Sequence, residues 1–180
     1  MSQQAGLNDD DITLRTFRQG DLEFLDRLVT DPEALGYFEW PGFIDARTRR
    51  RRWEQDGYVG DDTTALAVVL PDGTVAGLVS WERIQLGNRD MGLCLRIGAA
   101  LLPEHRGHGI GTRAQRRLVE YLHEYTVVHR LEAITDAENL AEQKSLERVG
   151  FQREGVMREI TFQHGRWRDA VLYALLRVGP

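Results

Sequence analysis

The sequence predicts a mixed α/β fold in which helices cover both faces of one sheet. Segments with alternating or continuous apolar residues, typical of strands, alternate with segments whose apolar residues recur every three or four positions, as in helices. Clusters of glycine and proline separate these segments. No linker, internal repeat or low-complexity stretch interrupts the 180 residues. We therefore expect a disordered tail over residues 1–10 and a single domain over residues 11–180.

The first half of the chain is predicted to contain four strands and two helices. In order, the elements are a strand at 11–17, a helix at 22–29, an aromatic loop at 36–43, an Arg-rich helix at about 45–56, and strands at 64–70, 74–84 and 91–102. Turn residues connect the last three strands. Pro71-Asp72-Gly73 predicts a hairpin, and Leu86-Gly87-Asn88 predicts a second turn.

Helices and strands alternate in the second half. After a glycine-rich loop at 103–109, the predicted elements are a helix at 110–125, a strand at 130–135, a helix at 139–149, and strands at 152–162 and 167–177. The complete order is therefore strand, helix, helix, three strands, helix, strand, helix, strand, strand. This order predicts a mixed sheet with helices on both faces.

Composition and charge exclude several classes of function. With 28 acidic against 23 basic residues and a net charge of −5, binding to a nucleic-acid backbone is disfavoured. The run Arg49–Arg52 leaves RNA binding as an alternative, although a solvated helix face is the simpler interpretation. The single cysteine, Cys94, excludes an internal disulfide. Because neither a run of about 18 apolar residues nor a signal peptide is present, we expect a cytoplasmic protein outside the membrane.

The most distinctive local feature is the segment Arg-Gly-His-Gly-Ile-Gly-Thr at 106–112, which follows a strand and opens a helix. The free N–H groups and the dipole of a helix start form an anion site suited to a pyrophosphate, and glycine permits a close approach. The dinucleotide fingerprint G-x-G-x-x-G does not fit, because Thr112 occupies the place of its third glycine. About 100 residues also precede the loop, which argues against a nicotinamide or flavin domain.

Residues 97–114 resemble the acetyl-CoA-binding motif of the GNAT N-acetyltransferases. The family pattern R-x-x-G-x-G/A is matched by Arg106, Gly109 and Gly111. Asn139 begins a helix similar to the family's asparagine helix, which ends in Gly-Phe.

The two ends of the chain extend this resemblance. The segments 14–28 and 165–176 resemble the RimJ/RimL-like branch of the family, so the similarity spans nearly the whole sequence. It implies a mostly antiparallel sheet whose central parallel pair, 91–102 and 130–135, splays apart.

The resemblance also implies how the co-substrate binds. Backbone groups freed by the splay would bind the pantetheine arm, and an N–H of Leu101 or Leu102 would polarise the thioester carbonyl. Acetyl-CoA is the implied co-substrate, and no metal is expected. The implied binding residues are Ala100, Leu101, Leu102, Arg106, Gly107, His108, Gly109, Ile110, Gly111, Thr112, Asn139 and Lys144.

The catalytic residues depart from the family pattern. Leu146 stands where many members have a tyrosine, and Glu142 stands where the Rim-type branch often has serine. Ser145, one helical turn further, is the nearest hydroxyl. Acid and base therefore stay open, and a water chain without one essential base is an alternative. The candidate catalytic residues are Glu82, Glu142, Ser145 and Asn139, with Glu159 and Asp169 as further candidate bases.

Aromatic residues mark the expected acceptor site. The loop where the family binds its acceptor carries Tyr37, Trp40 and Phe43. Two predicted strands contribute Trp81 and Asp169 to the same expected site. Aromatic rings bind apolar or cationic groups, so we expect a primary amine on a small molecule such as an amino acid, a polyamine or an aminated antibiotic. A peptide N-terminus, as in ribosomal-protein acetylation, and a non-catalytic CoA-binding module are the alternatives. Both a monomer and a homodimer fit the sequence.

Overall fold

A seven-stranded sheet with helices on both faces organises the protein. The computed structural model describes residues 12–85 and 92–178. The expected tail at 1–10 and the turn at Leu86-Gly87-Asn88 lie outside these residues. The elements are β1 (Thr13–Arg15), α1 (Leu22–Thr30), α2 (Pro32–Leu35), α3 (Ala46–Asp56), β2 (Thr63–Val69), β3 (Val75–Ile84), β4 (Cys94–Leu101), α4 (Ile110–Tyr125), β5 (Arg130–Asp136), α5 (Leu140–Val149), β6 (Gln152–Gln163) and β7 (Arg166–Leu176).

The strand order across the sheet is β1-β2-β3-β4-β5-β7-β6. Every neighbouring pair is antiparallel except β4 and β5, which run parallel through only three pairs of residues, from Cys94↔Arg130 to Arg96↔Glu132. Beyond these pairs the two strands separate. The predicted mixed, mostly antiparallel sheet with a splayed parallel pair is confirmed.

Alternation along β2 shows how one strand supports both layers of helices. Leu66 and Val68 point into a core formed with α4 and α5, whereas Ala65 and Ala67 point into a second core under α1. All four residues are buried. Burial on both faces explains why this segment is apolar nearly throughout.

The helix α2 was not predicted. The sequence predicts one helix in this region, at 22–29, but Pro32 occupies the first turn of a second helix. The carboxylate of Asp31 caps that helix by accepting a hydrogen bond from the Glu33 N–H at 3.0 Å. Proline is well suited to this first position, because its missing N–H would have no helical partner there.

Gly77 allows β3 and β4 to approach closely beside the splay. A Cβ atom at this position would lie 2.2 Å from the carbonyl oxygen of Ala100 and 2.6 Å from a methyl carbon of Leu101. Real Cβ atoms do not approach backbone oxygen so closely, so any larger residue must displace the end of β4.

We predict that Gly77→Ala destabilises the protein by about 2–3 kcal/mol, as expected for overpacking against backbone. Gly155→Ala is the matched control, because Gly155 also lies in a strand and a Cβ there meets nothing within 4 Å. Urea unfolding of both variants measures the difference. Equal stability of the two variants would contradict the packing described for β3 and β4.

Candidate active site

The splay between β4 and β5 opens a cleft of about 650 Å³ between the starts of α4 and α5. Its lining includes nine predicted cofactor-binding residues and two further candidate catalytic residues. These are Ala100, Leu101, Arg106, Gly107, Gly109, Gly111, Thr112, Asn139, Glu142, Lys144 and Ser145, where Asn139 belongs to both groups and Lys144 lies at the exposed edge.

Only one of the three predicted backbone groups faces the cleft with its N–H. The Leu102 N–H donates to the carbonyl of Ala76 at 3.0 Å, so that it is already used by β3. Backbone direction alternates along an antiparallel pair, and Ala100 therefore also directs its polar groups toward β3. The N–H of Leu101 points the other way, into the gap. The expectation that the Leu102 N–H lacks a strand partner was wrong, because the sequence does not show which neighbour each amide faces. Ala100 lines the cleft, and its binding of the cofactor stays a prediction.

The side chain of Arg106 binds the protein itself and not a free anion. Its guanidinium donates to three carbonyl oxygens: Leu101 at 2.9 Å, Ala34 at 2.6 Å and Glu33 at 3.2 Å. These bonds join α2 to the end of β4 and to the glycine loop. They give the side chain a structural role. Arg106 also lines the cleft, and its contact with the cofactor stays a prediction.

The glycine loop opens α4 toward the cleft. Gly109 is the N-cap in the left-handed conformation (φ 73°), and no side chain caps the first turn. The helix start therefore presents N–H groups to the cleft. Ile110, whose side chain is buried in the core, and His108 are not among the residues that line the cleft. The sequence analysis missed Arg148, which lines the same cleft as Lys144.

At the start of α5, Asn139 is the N-cap, and its side-chain oxygen accepts the N–H of Glu142 at 3.3 Å. The Glu142 carboxylate accepts a hydrogen bond from the side-chain amide of Gln115 on α4. Burial raises the pKa of Glu142 to about 7; the Gln115 hydrogen bond opposes this shift, and the charge of Glu39 adds to it.

Ser145 lies below Glu142 on α5 and is buried. Its hydroxyl donates to the side-chain oxygen of Gln115 at 2.8 Å and lies 2.9 Å from the hydroxyl of Thr112. Gln115 is 1% exposed and was not among the predicted site residues. A glutamine inside a helical apolar stripe was the signal available in the sequence.

A second cavity, of about 670 Å³, adjoins the cleft at the C-terminal end of β5. The two cavities share four lining residues: Phe38, Glu39, Ile134 and Thr135. The second cavity is acidic and aromatic. The side chains that give it this character are Phe38, Glu39, Trp40, Asp136, Phe162 and Asp169.

Glu39 stands on the shared wall and was not predicted. Its carboxylate has no hydrogen-bond or ion-pair partner among the residues described. The surrounding protein limits its solvation and raises its pKa, and the charge of Asp136 adds to this effect. Its position within the aromatic loop was the only signal in the sequence.

The hairpin of β6 and β7 holds the aromatic loop in place. The ring of His164 stacks on the ring of Tyr37, with the ring centres 4.1 Å apart, and its Nε2 lies 2.8 Å from the backbone oxygen of Tyr37. The side-chain amide of Gln163 donates to the carbonyl of Trp40 at 3.1 Å. Tyr37 therefore lines the cleft, and Trp40 lines the second cavity. Asp169 also lines that cavity and accepts the Glu159 N–H at 2.8 Å.

Four residues predicted for catalysis or acceptor binding lie outside both cavities: Phe43, Trp81, Glu82 and Glu159. Phe43 is 79% exposed and touches only Trp40 among aromatic rings of the described residues. Trp81 packs against the core and Tyr121. Glu82 pairs with Arg96 at 3.3 Å, at the end of β4 where the parallel pair is still closed. These expectations were wrong, because position next to a central strand does not determine which end of the sheet a residue occupies.

A buried ion-pair network supports the second cavity. Arg168 is 4% exposed, bonds the carboxylates of Asp136 and Glu138, and lies 5.3 Å from the ring centre of Tyr37. The guanidinium lowers the pKa of Asp136, so that this carboxylate stays charged. Asp136 is therefore ionised, and Arg168, which also pairs with Glu138, offsets part of this negative charge.

Other chemistry suggested by single residues lies elsewhere. The thiol of Cys94 is buried at the closed end of β4, outside the lining of the cleft, and burial raises its pKa. Within 12–85 and 92–178, no three His, Cys, Asp or Glu side chains cluster as metal ligands would. None of the helices in these ranges is long and apolar enough to cross a membrane.

An anion-binding helix start and an acidic cavity that meet at one wall are the features of a transferase that joins an anionic donor to a cationic acceptor. The acetyltransferase (GNAT) domain profile matches residues 11–152. The chain therefore belongs to the GNAT family and is an N-acetyltransferase.

Individual relatives agree with this membership. The N-acetyltransferase p20 of Bacillus licheniformis, itself uncharacterised, is 27% identical over 92% of this chain and 93% of its own length. The spermidine N(1)-acetyltransferase of Escherichia coli K12 is 27% identical, over 89% of this chain and 83% of its own. A branch resembling RimJ/RimL is not singled out by these relatives.

Solved structures share the fold. The spermidine N-acetyltransferase of Vibrio cholerae, crystallised with CoA and spermine, superposes with a TM-score of 0.79 at 23% identity, covering 93% of this chain and 96% of its own.

We predict that Glu142→Gln stabilises the protein at pH 8 but not at pH 5. Folding raises the pKa of Glu142 from 4.5 to about 7, so native Glu142 holds its proton more tightly and stability falls as pH rises through this window. Removing the buried charge should raise the unfolding free energy at pH 8 by about 1–2 kcal/mol. Urea unfolding at both pH values measures it. Glu120→Gln, at an exposed position of α4, is the control and should show no such pH dependence.

Proposed function

We propose that this N-acetyltransferase moves the acetyl group of acetyl-CoA directly to a primary amine of a small cationic molecule. The observation that carries the proposal is the shared wall between the two cavities. One cavity offers a helix start and an open strand edge, and the other offers negative charge and aromatic rings. A thioester in the first cavity and an amine in the second would meet beside Glu39.

The donor side fits the parts of CoA in order. The amides of 107–112 at the start of α4 suit the pyrophosphate, with Lys144 and Arg148 as nearby cations. The open edge of β4 suits the amides of the pantetheine arm, which needs such partners. The N–H of Leu101 is the donor for the thioester oxygen, where negative charge develops during attack.

The acceptor side fits a positively charged amine. Phe38, Trp40 and Phe162 provide ring faces, and Asp136 and Asp169 provide negative charge. The spermidine acetyltransferases among the relatives act on an amine of this class.

Glu39 is the proton acceptor in this proposal. An amine of pKa near 10 is protonated at neutral pH and must lose a proton before it attacks. Glu39 has the position for this step, and its raised pKa makes it a better base than an ordinary carboxylate.

Thiol release from acetyl-CoA should occur with at least one small amine in a panel of polyamines, aminoglycosides, amino acids and short peptides. Glu39→Gln should lower kcat/KM for that amine by about 100-fold, the typical effect of losing a general base, while CoA affinity stays unchanged. Glu33→Gln, an exposed position on α2, is the control. Turnover confined to peptides would move the acceptor to a polypeptide N-terminus, and CoA binding without any turnover would contradict the proposal.

Gly111→Asp should lower CoA affinity by about 100-fold or more without destabilising the protein. An aspartate in the first turn of a helix favours folding, but its charge would repel the pyrophosphate. A Cβ at this position meets only Leu101, at an ordinary 3.5 Å. Calorimetric titration with CoA measures the affinity. Gly111→Asn has nearly the same shape without charge, and an equal loss in both variants would refute the electrostatic explanation.

A further inference from the structure

Glu142 lines the cleft to which the proposed function assigns the thioester. Asn139, which caps α5, bonds the backbone of Glu142, and the carboxyl group contacts Gln115 on α4. Glu39 lines the same cleft and also the acceptor cavity, and its negative charge acts on Glu142.

A series of hydrogen bonds with only one possible direction holds this carboxyl group. The side-chain oxygen of Gln115 can only accept, so the hydroxyl of Ser145 must donate to it. The proton of Ser145 is thereby engaged, and the bond between Thr112 and Ser145 must be donated by Thr112. Gln115 then presents its NH₂ group to Glu142. We call Thr112, Ser145 and Gln115 the support network.

The direction of these hydrogen bonds indicates which of two groups can donate a proton, the hydroxyl of Ser145 or the carboxyl group of Glu142. Ser145 has no proton to give without breaking its bond to Gln115. Leu146 carries no polar group. One oxygen of Glu142 accepts from Gln115, which leaves the other able to carry a proton.

We propose that Glu142 donates the proton that the CoA sulfur takes up as it leaves, and that the support network positions its carboxyl group. This inference rests on the proposed transfer from acetyl-CoA to an amine. Glu142 is the catalytic residue, and the three members of the network are positioning residues.

The step balances in atoms and charge. The amine, after giving its proton to Glu39, forms a bond from nitrogen to the acetyl carbon. The carbon–sulfur bond breaks, its electron pair stays on sulfur, and sulfur takes the proton of Glu142. The products are the amide and CoA thiol. The attacking nitrogen loses its second proton to solvent as the amide forms. Solvent also takes the proton from Glu39 and returns one to Glu142, so that each cycle releases one proton in net.

The surroundings favour a neutral Glu142 before the step. The other titratable side chains of the cleft are Tyr37, Glu39, Arg106, Lys144 and Arg148. Arg106 is engaged with backbone carbonyls, and Glu39 adds a negative charge that opposes ionisation of Glu142. Burial acts in the same direction, and the pKa of about 7 leaves a large protonated fraction at neutral pH. A carboxylic acid of this pKa is well matched to proton donation.

The test compares wild type, Glu142→Gln and Ser145→Ala by steady-state thiol release from pH 5.5 to 9, with the best amine of the panel. In the wild type, kcat should fall above pH about 7, because Glu142 loses its proton. Glu142→Gln should lower kcat by about 100-fold or more and remove this fall, with KM for acetyl-CoA nearly unchanged. Glu142→Asp retains an ionisable carboxyl group and should recover part of the rate.

Ser145→Ala separates the two roles. It should lower kcat by less than about tenfold, since it only loosens Gln115, and should keep the fall at alkaline pH. The inference is overturned if Glu142→Gln retains the fall or loses less than about threefold in kcat, or if Ser145→Ala reproduces the Glu142→Gln profile. Wild-type protein that binds CoA but acetylates no amine would overturn the proposed function, and this inference with it.

Discussion

The separation of β4 from β5 is the constraint on which the rest of the site depends. Each strand is held along its outer side, β4 by β3 and β5 by β7, while the two share only three residue pairs. Backbone groups in the gap therefore lack strand partners, and such groups are costly unless a ligand or water satisfies them. The starts of α4 and α5 border the same gap. An extended ligand with amides at one end and phosphates at the other fits this arrangement.

The position of the acceptor cavity depends on contacts between distant parts of the chain. The aromatic loop near Tyr37 is fastened by His164 and Gln163 in the last hairpin and stands over Arg168. Arg168 forms a buried ion pair with Asp136. Removing one partner of this pair would leave the other charge buried without compensation, and that loss of stability is far larger than the net stabilisation that the pair contributes.

Two glutamates in this site differ because of their surroundings and not because of their sequence neighbours. Glu142 lies in the cleft against Gln115, whereas Glu39 stands on the wall between the cavities without a partner among the described residues. Limited solvation by the surrounding protein raises the pKa of both carboxyl groups, although Glu39 keeps an exposed surface. The charge of Asp136 adds to the shift of Glu39, and the charge of Glu39 adds to that of Glu142. Carboxyl groups placed on opposite sides of a reacting bond can take separate roles in proton transfer.

The sequence by itself determined the order of the elements apart from α2, the apolar strand β2, the glycine loop at the start of α4 and the helix that begins after Asn139. Each of these depends on residues close together in the chain, where periodicity and turn chemistry act directly. Only the tertiary structure decided which strand edge each amide of β4 faces, that Arg106 binds carbonyls, that Glu82 lies at the closed end, and that Gln115 supports Glu142. These outcomes depend on contacts between residues far apart in the sequence. The pairing of strands and the packing of helices determine such contacts, and no local sequence pattern encodes them.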